Sequence, residues 1–156
     1  MDASDDGLKR RGWVRLLAVS GLIPFAALAA LSMAGFAAAV DLFQIYGLAI
    51  TCFLLGSWWG VGLSARSSGR APLPELLWSN GLLLVAVASY CFVSVALAVT
   101  LQGILFAVIL GLEHRLDRLR RAPSYYRRLR NQVTVATCVI HGMLAAAIGG
   151  LADFMS

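Results

Sequence analysis

The sequence predicts an all-α integral membrane protein: a bundle of five transmembrane helices with a cytoplasmic N-terminus and an external C-terminus. Three observations carry this reading. Apolar stretches long enough to cross a bilayer alternate with short polar connections. The chain is 60% hydrophobic and only 13% charged, against roughly a quarter charged in ordinary soluble domains. All 13 Lys and Arg residues fall in alternate connections. Lys9, Arg10, Arg11 and Arg15 precede the first stretch, Arg66 and Arg70 follow the second, and Arg115, Arg118, Arg120, Arg121, Arg127, Arg128 and Arg130 separate the fourth from the fifth. This is the distribution expected when basic connections stay inside.

Residues 1–12 are polar, with Asp2, Asp5 and Asp6 ahead of the first basic cluster, and read as a disordered cytoplasmic tail. The rest, 13–156, reads as one transmembrane domain. The first span is expected at about 13–34, kinked by Pro24, which removes one helical hydrogen bond. A cleaved signal peptide is the competing reading, but the apolar run exceeds the usual core of about 7–15 residues. Asp41 marks the first external turn, and the second span runs over about 42–65. Residues 76–112 carry no charge. As one helix they would measure about 55 Å, nearly twice the hydrocarbon core, so they divide into spans at about 74–90 and 93–113 with a turn inside 88–94. The fifth span is expected at about 131–152, after Pro123 ends the preceding helix and Ser124 caps a new one.

In lipid, helices associate through small residues that let backbones approach. The second span offers Gly56, Gly60 and Ser64 at steps of four, and the fifth offers Gly142, Ala146 and Gly150. Contacts inside the bundle are the preferred reading of both stripes, and a dimer face is the other. Among the polar groups within the spans, Asn80, Gln102 and His141 stand out, with Trp58 and Trp59 at a depth similar to Asn80. They are candidates for an intramembrane polar site that includes Trp59. The plainer reading is ordinary interhelical hydrogen bonding, worth about 0.6 kcal/mol each. One histidine without an acidic partner makes a poor proton relay.

No cofactor is expected. His114 belongs at a membrane boundary and His141 about 15 Å deeper, so the two do not flank one haem. Cys52, Cys91 and Cys138 lie in separate spans without CxxC spacing, which argues for buried free thiols rather than a zinc or disulfide framework. The segment from Tyr125 and Tyr126 through Arg127, Arg128 and Arg130 is placed for the interfacial belt and for anionic lipid headgroups or a partner's acidic loop. The net charge of +5 is explained by topology and does not point to nucleic acid.

Several local patterns resemble one family. Gly21, Leu22, Ile23, Pro24 and Phe25 look like its opening motif, and Tyr46, Gly47, Phe53, Leu54, Gly56, Trp59 and Gly60 match its second-span motif. Pro74, Leu76 and Trp78 resemble its Pro-x-Leu-x-Trp, and Tyr125 to Arg130 with Thr134 resemble its aromatic-Tyr-Arg-Arg-Leu-Arg segment. Leu55 stands where that family has a glycine, Tyr125 where it has Trp, and Glu113 where it has Asp. The chain thus resembles domain-of-unknown-function family 3429, relatives of the mitochondrial transmembrane protein 69. The resemblance implies a multi-pass protein of the bacterial inner membrane and brings no activity with it.

A non-enzymatic accessory or assembly subunit of a larger membrane complex is the function expected. The alternative is a small oligomeric transporter or channel for a small solute. An enzyme using His114 with Glu113 or Asp117 is disfavoured, because adjacent residues on a helix point about 100° apart.

Overall fold

A computed structural model describes residues 3–64, 73–116 and 122–155, with side chains described for 11–60, 63, 73–116 and 122–150. Every element among them is helical: α1 (Ala3–Ser20), α2 (Leu22–Met33), α3 (Ala37–Ser64), α4 (Leu73–Phe92), α5 (Val95–Arg115) and α6 (Ser124–Met155). Five stretches are long and apolar enough to cross a membrane: 11–33, 37–60, 73–92, 95–115 and 124–150. Helices satisfy their own backbone polar groups, which hydrocarbon cannot do for them.

The first span is made of α1 and α2, broken at Gly21. The cause is Pro24, which has no N–H to offer the Ser20 carbonyl and whose ring crowds it. The interruption is one residue long: Gly21 keeps helical angles (φ −63°, ψ −17°) and its N–H still donates to the Leu17 carbonyl at 3.2 Å, in keeping with the kink expected there. The Tyr46 hydroxyl on α3 donates to the Gly21 carbonyl at 3.0 Å and pins the joint. Residues 3–12, expected as a disordered tail, instead belong to α1.

The first turn lies at residues 34–36, not at Asp41, which sits within α3. Gly35 has φ of 91°, and Phe36 N–H donates to Leu31 O while Gly35 N–H donates to Ser32 O. That is a Schellman cap, and the glycine is what makes it strain-free. The turn between α4 and α5 falls at Val93 and Ser94, inside the expected window. Arg66, Arg70, Asp117, Arg118, Arg120 and Arg121 lie outside the described residues.

The helices form a ring in which α2 packs on α3 and α6, α4 on α3 and α5, and α5 on α6, with α3 also meeting α5 across the middle. One core cluster joins Phe25, Phe43, Val99, Phe106 and Leu144, and a second joins Leu55, Trp58, Leu82, Leu105 and Ile109. Ser79 on α4 donates to the Leu55 carbonyl of α3 at 3.0 Å.

The closest approaches use glycines other than those expected. A Cβ at Gly47 would lie 2.5 Å from Gln102 Oε1, and one at Gly103 would lie 2.9 Å from His141 Cβ. Gly56, Gly60, Gly142 and Gly150 have no described residue within 4 Å of that position and, with Ala146, are exposed on the outside of the bundle. The expected inward stripes therefore face outward; Ser64's side chain lies outside the described residues. Bulkier apolar residues fill the core, and lipid accepts small and large apolar residues alike on the outer face. For the same reason Cys52 and Cys91, expected to be buried, are exposed, while Cys138 is half-buried.

Gly103→Ala is expected to lower thermal stability in detergent by about 1–3 kcal/mol, because His141 Cβ is too close to the helix backbone to yield. Gly56→Ala, with open space around it, should leave stability unchanged or raise it by up to about 1 kcal/mol through helix propensity.

Candidate functional site

Two polar layers cross the bundle, both built on the α5–α6 pair. The first lies at the end where α5 finishes and α6 begins, here termed the arginine-bearing end. Glu113, the last acidic residue of α5, is buried and accepts from Arg130 Nε on α6 at 2.9 Å. The indole N–H of Trp58 on α3 donates to the other carboxylate oxygen at 3.3 Å. Arg130 Nη1 donates to Thr134 Oγ1 at 3.2 Å, and its Nη2 is buried with no hydrogen-bond partner among the described residues. Next to this pair, His114 Nε2 meets Asn131 Oδ1 at 3.1 Å; the carbonyl oxygen accepts, which places the ring proton on Nε2.

The second layer is deeper. Gln102 lies eleven residues before Glu113 on α5, and His141 eleven residues after Arg130 on α6, a step of about 16 Å along each helix. Gln102 Nε2 donates to the Gln44 carbonyl on α3 at 3.0 Å. His141 Nδ1 donates to the Thr137 carbonyl of its own helix at 2.7 Å. The neutral ring then presents a lone pair at Nε2, which faces Gln102 Oε1 at 3.4 Å. Reversing the amide would offer that nitrogen a donor but turn Oε1 onto the Gln44 carbonyl. The contact is close packing rather than a strong hydrogen bond. Phe25, Phe43 and Phe106 surround the imidazole, with ring centroids 4.6 to 5.4 Å from it.

The structure thus brings together two of the polar residues singled out from the sequence, Gln102 and His141, and leaves two outside. Asn80 is exposed and bonds back to Leu76 O on its own helix, which satisfies its amide without a neighbour. Trp59 is 38% exposed, whereas Trp58 is 1% exposed and belongs to the Glu113 layer. Adjacent helical residues point about 100° apart, so only one of the two tryptophans can face inward.

The arginine segment divides as well. Tyr126 and Arg128 are exposed, while Tyr125 and Arg127 are half-buried. Arg11 on α1 stacks over the Tyr125 ring at 5.2 Å. Arg130, expected to face lipid or a partner, turns inward to Glu113, because a buried carboxylate requires a paired charge. Nothing along the sequence points directly to the Glu113–Arg130 pair beyond the matching eleven-residue steps from Gln102 to Glu113 and from Arg130 to His141.

The chain matches the family described as "Protein of unknown function (DUF3429)" over residues 11–146. It belongs to that family. Both polar layers lie within the matched stretch, as do the outward Gly56, Gly60 and Gly142. No curated protein and no solved structure matches the chain.

Arg130→Gln should cost about 3–5 kcal/mol of stability by stranding the Glu113 carboxylate, and adding Glu113→Gln should recover part of that loss. Chemical unfolding of the four members of this cycle in detergent measures both. A cycle of Gln102→Leu and His141→Leu should show coupling of only about 0.6 kcal/mol, the usual value for polar contacts in membranes.

Proposed function

We propose that the chain is a non-enzymatic accessory or assembly subunit of a larger complex in the bacterial inner membrane. In this reading its N-terminus and arginine-bearing end lie in the cytoplasm and its C-terminus outside, which the distribution of Lys and Arg supports. The observation that carries the reading is the outward placement of small residues. Gly56 on α3 and Gly142, Ala146 and Gly150 on α6 stand at four-residue spacing on the exposed surface, and the bundle's own close contacts use Gly47 and Gly103 instead. Small residues on a lipid-facing surface let a second protein's helix approach closely. The burial of Gln102 and His141 behind three phenylalanine rings supports this reading over a solute transporter, which needs polar groups along an open path.

Mass spectrometry of the tagged protein, purified in mild detergent at native expression level, tests the proposal. A stoichiometric membrane-protein partner is expected with the unaltered chain. Gly56→Leu combined with Gly142→Leu should remove that partner while leaving the thermal midpoint of the isolated protein within about 2 °C. A partner-free homo-oligomer, or a partner held equally by the leucine variant, overturns the reading.

A further inference from the structure

We propose that the space between α1 and α6 is one seat for an anionic glycerophospholipid, with its headgroup against Arg11, Arg15 and Arg128 and an acyl chain in the cavity beneath. Two hollows meet there. A groove of about 590 Å³ is walled by Arg11, Arg15 and Arg128 together with Ser124, Tyr125 and Gln132, and no carboxylate is among its described lining residues. A cavity of about 390 Å³ is lined by Leu17, Ala18, Phe25, Leu54, Phe106 and Val133 among others, and Arg130 is the only charged residue among its described lining residues. Leu129 lines both, so the two are contiguous.

The order along the helices sets which hollow lies deeper. Arg11 stacks on Tyr125, so α1 and α6 run side by side from the same level. Past Arg15, α1 presents Leu17 and Ala18 to the cavity and Gly21 follows at the joint; past Arg128, α6 presents Val133 and Thr137. The cationic groove is therefore at the membrane entry and the apolar cavity extends from it toward the midplane. The break at Gly21 lies in the cavity wall, where α1 gives way to α2.

Each hollow limits the occupant. The cavity holds too few polar groups to keep waters, each of which needs two to four partners. Thr134 already accepts from Arg130, and the Thr137 hydroxyl donates to the Val133 carbonyl. Left empty, the walls would forfeit dispersion contacts, so a hydrocarbon chain is the fitting guest. Its volume falls within the range of about 300–1,000 Å³ usual for small-molecule sites. Three guanidinium groups above it select a phosphate. An acidic peptide loop satisfies the groove and leaves the cavity vacant, as does a free anion. An anionic phospholipid fills both.

The test uses the full chain in dodecyl maltoside with phosphatidylglycerol or phosphatidylcholine added, read by native mass spectrometry and thermal midpoint. Phosphatidylglycerol should stay bound and raise the midpoint, and phosphatidylcholine should do neither. Arg15→Gln with Arg128→Gln should weaken phosphatidylglycerol retention about tenfold or more. Arg127→Gln, which removes charge outside the groove, should leave retention within about twofold. Ala18→Trp should expel the chain with every arginine intact; if that variant does not fold, Val133→Phe fills the same cavity. Equal retention of phosphatidylcholine, equal loss on Arg127→Gln, persistence of the lipid in the filled cavity, or the same midpoint shift from inorganic phosphate alone would each overturn the proposal.

Discussion

The Glu113–Arg130 ion pair is the constraint around which the arginine-bearing end is arranged. An isolated charge at this depth would be expelled or neutralised, so each partner needs the other, and together they fix α5 against α6. Trp58 then brings α3 to the same carboxylate, which makes one buried acid the meeting point of three spans. The neighbouring His114–Asn131 contact repeats the α5–α6 link one residue further along each helix. Because both helices rise by the same step, this alignment carries Gln102 and His141 to a common level in the interior. The deeper layer therefore inherits its register from the outer one. Gly103 completes the arrangement by letting α6 come close enough for the His141 ring to reach the phenylalanine box.

The five spans, the break near Pro24 and the turn before Ser94 were all legible from length, charge and proline chemistry, because those signals do not depend on which way a helix is turned. Rotation about each helix axis was not legible. In water, polar residues mark the outer face; in lipid, both faces are apolar, so Gly47 and Gly56 or Trp58 and Trp59 look equivalent along the sequence. That is why Gly56, Gly60, Gly142 and Gly150 were assigned to the interior and Gly103 was overlooked, although it adjoins Gln102, one of the few polar residues within the spans. The Glu113–Arg130 pair escaped notice for another reason. Reading the arginine segment as a uniform basic patch hid the one member whose partner lies an equal distance back along α5.

The outer surface and the interior of this protein do different work. Inside, two polar layers and two apolar clusters specify one register for α2 through α6. Outside, small residues on α3 and α6 and arginines on α1 and α6 remain available to other molecules. Membership of the DUF3429 family covers both, since the match begins at Arg11 and runs through Ala146.

The joint at Gly21 divides the first span into two members with different obligations. Beyond it, α2 is committed to the core through Phe25, and the Tyr46 hydroxyl holds the Gly21 carbonyl just before its first residue. Before it, α1 leans on α6 chiefly at the surface. When a bilayer thickens or thins, a straight span must tilt as a whole and drag its packing with it. A bend at Gly21 falls between a segment packed into the core and one that is not, which is where such a strain would meet the least packing.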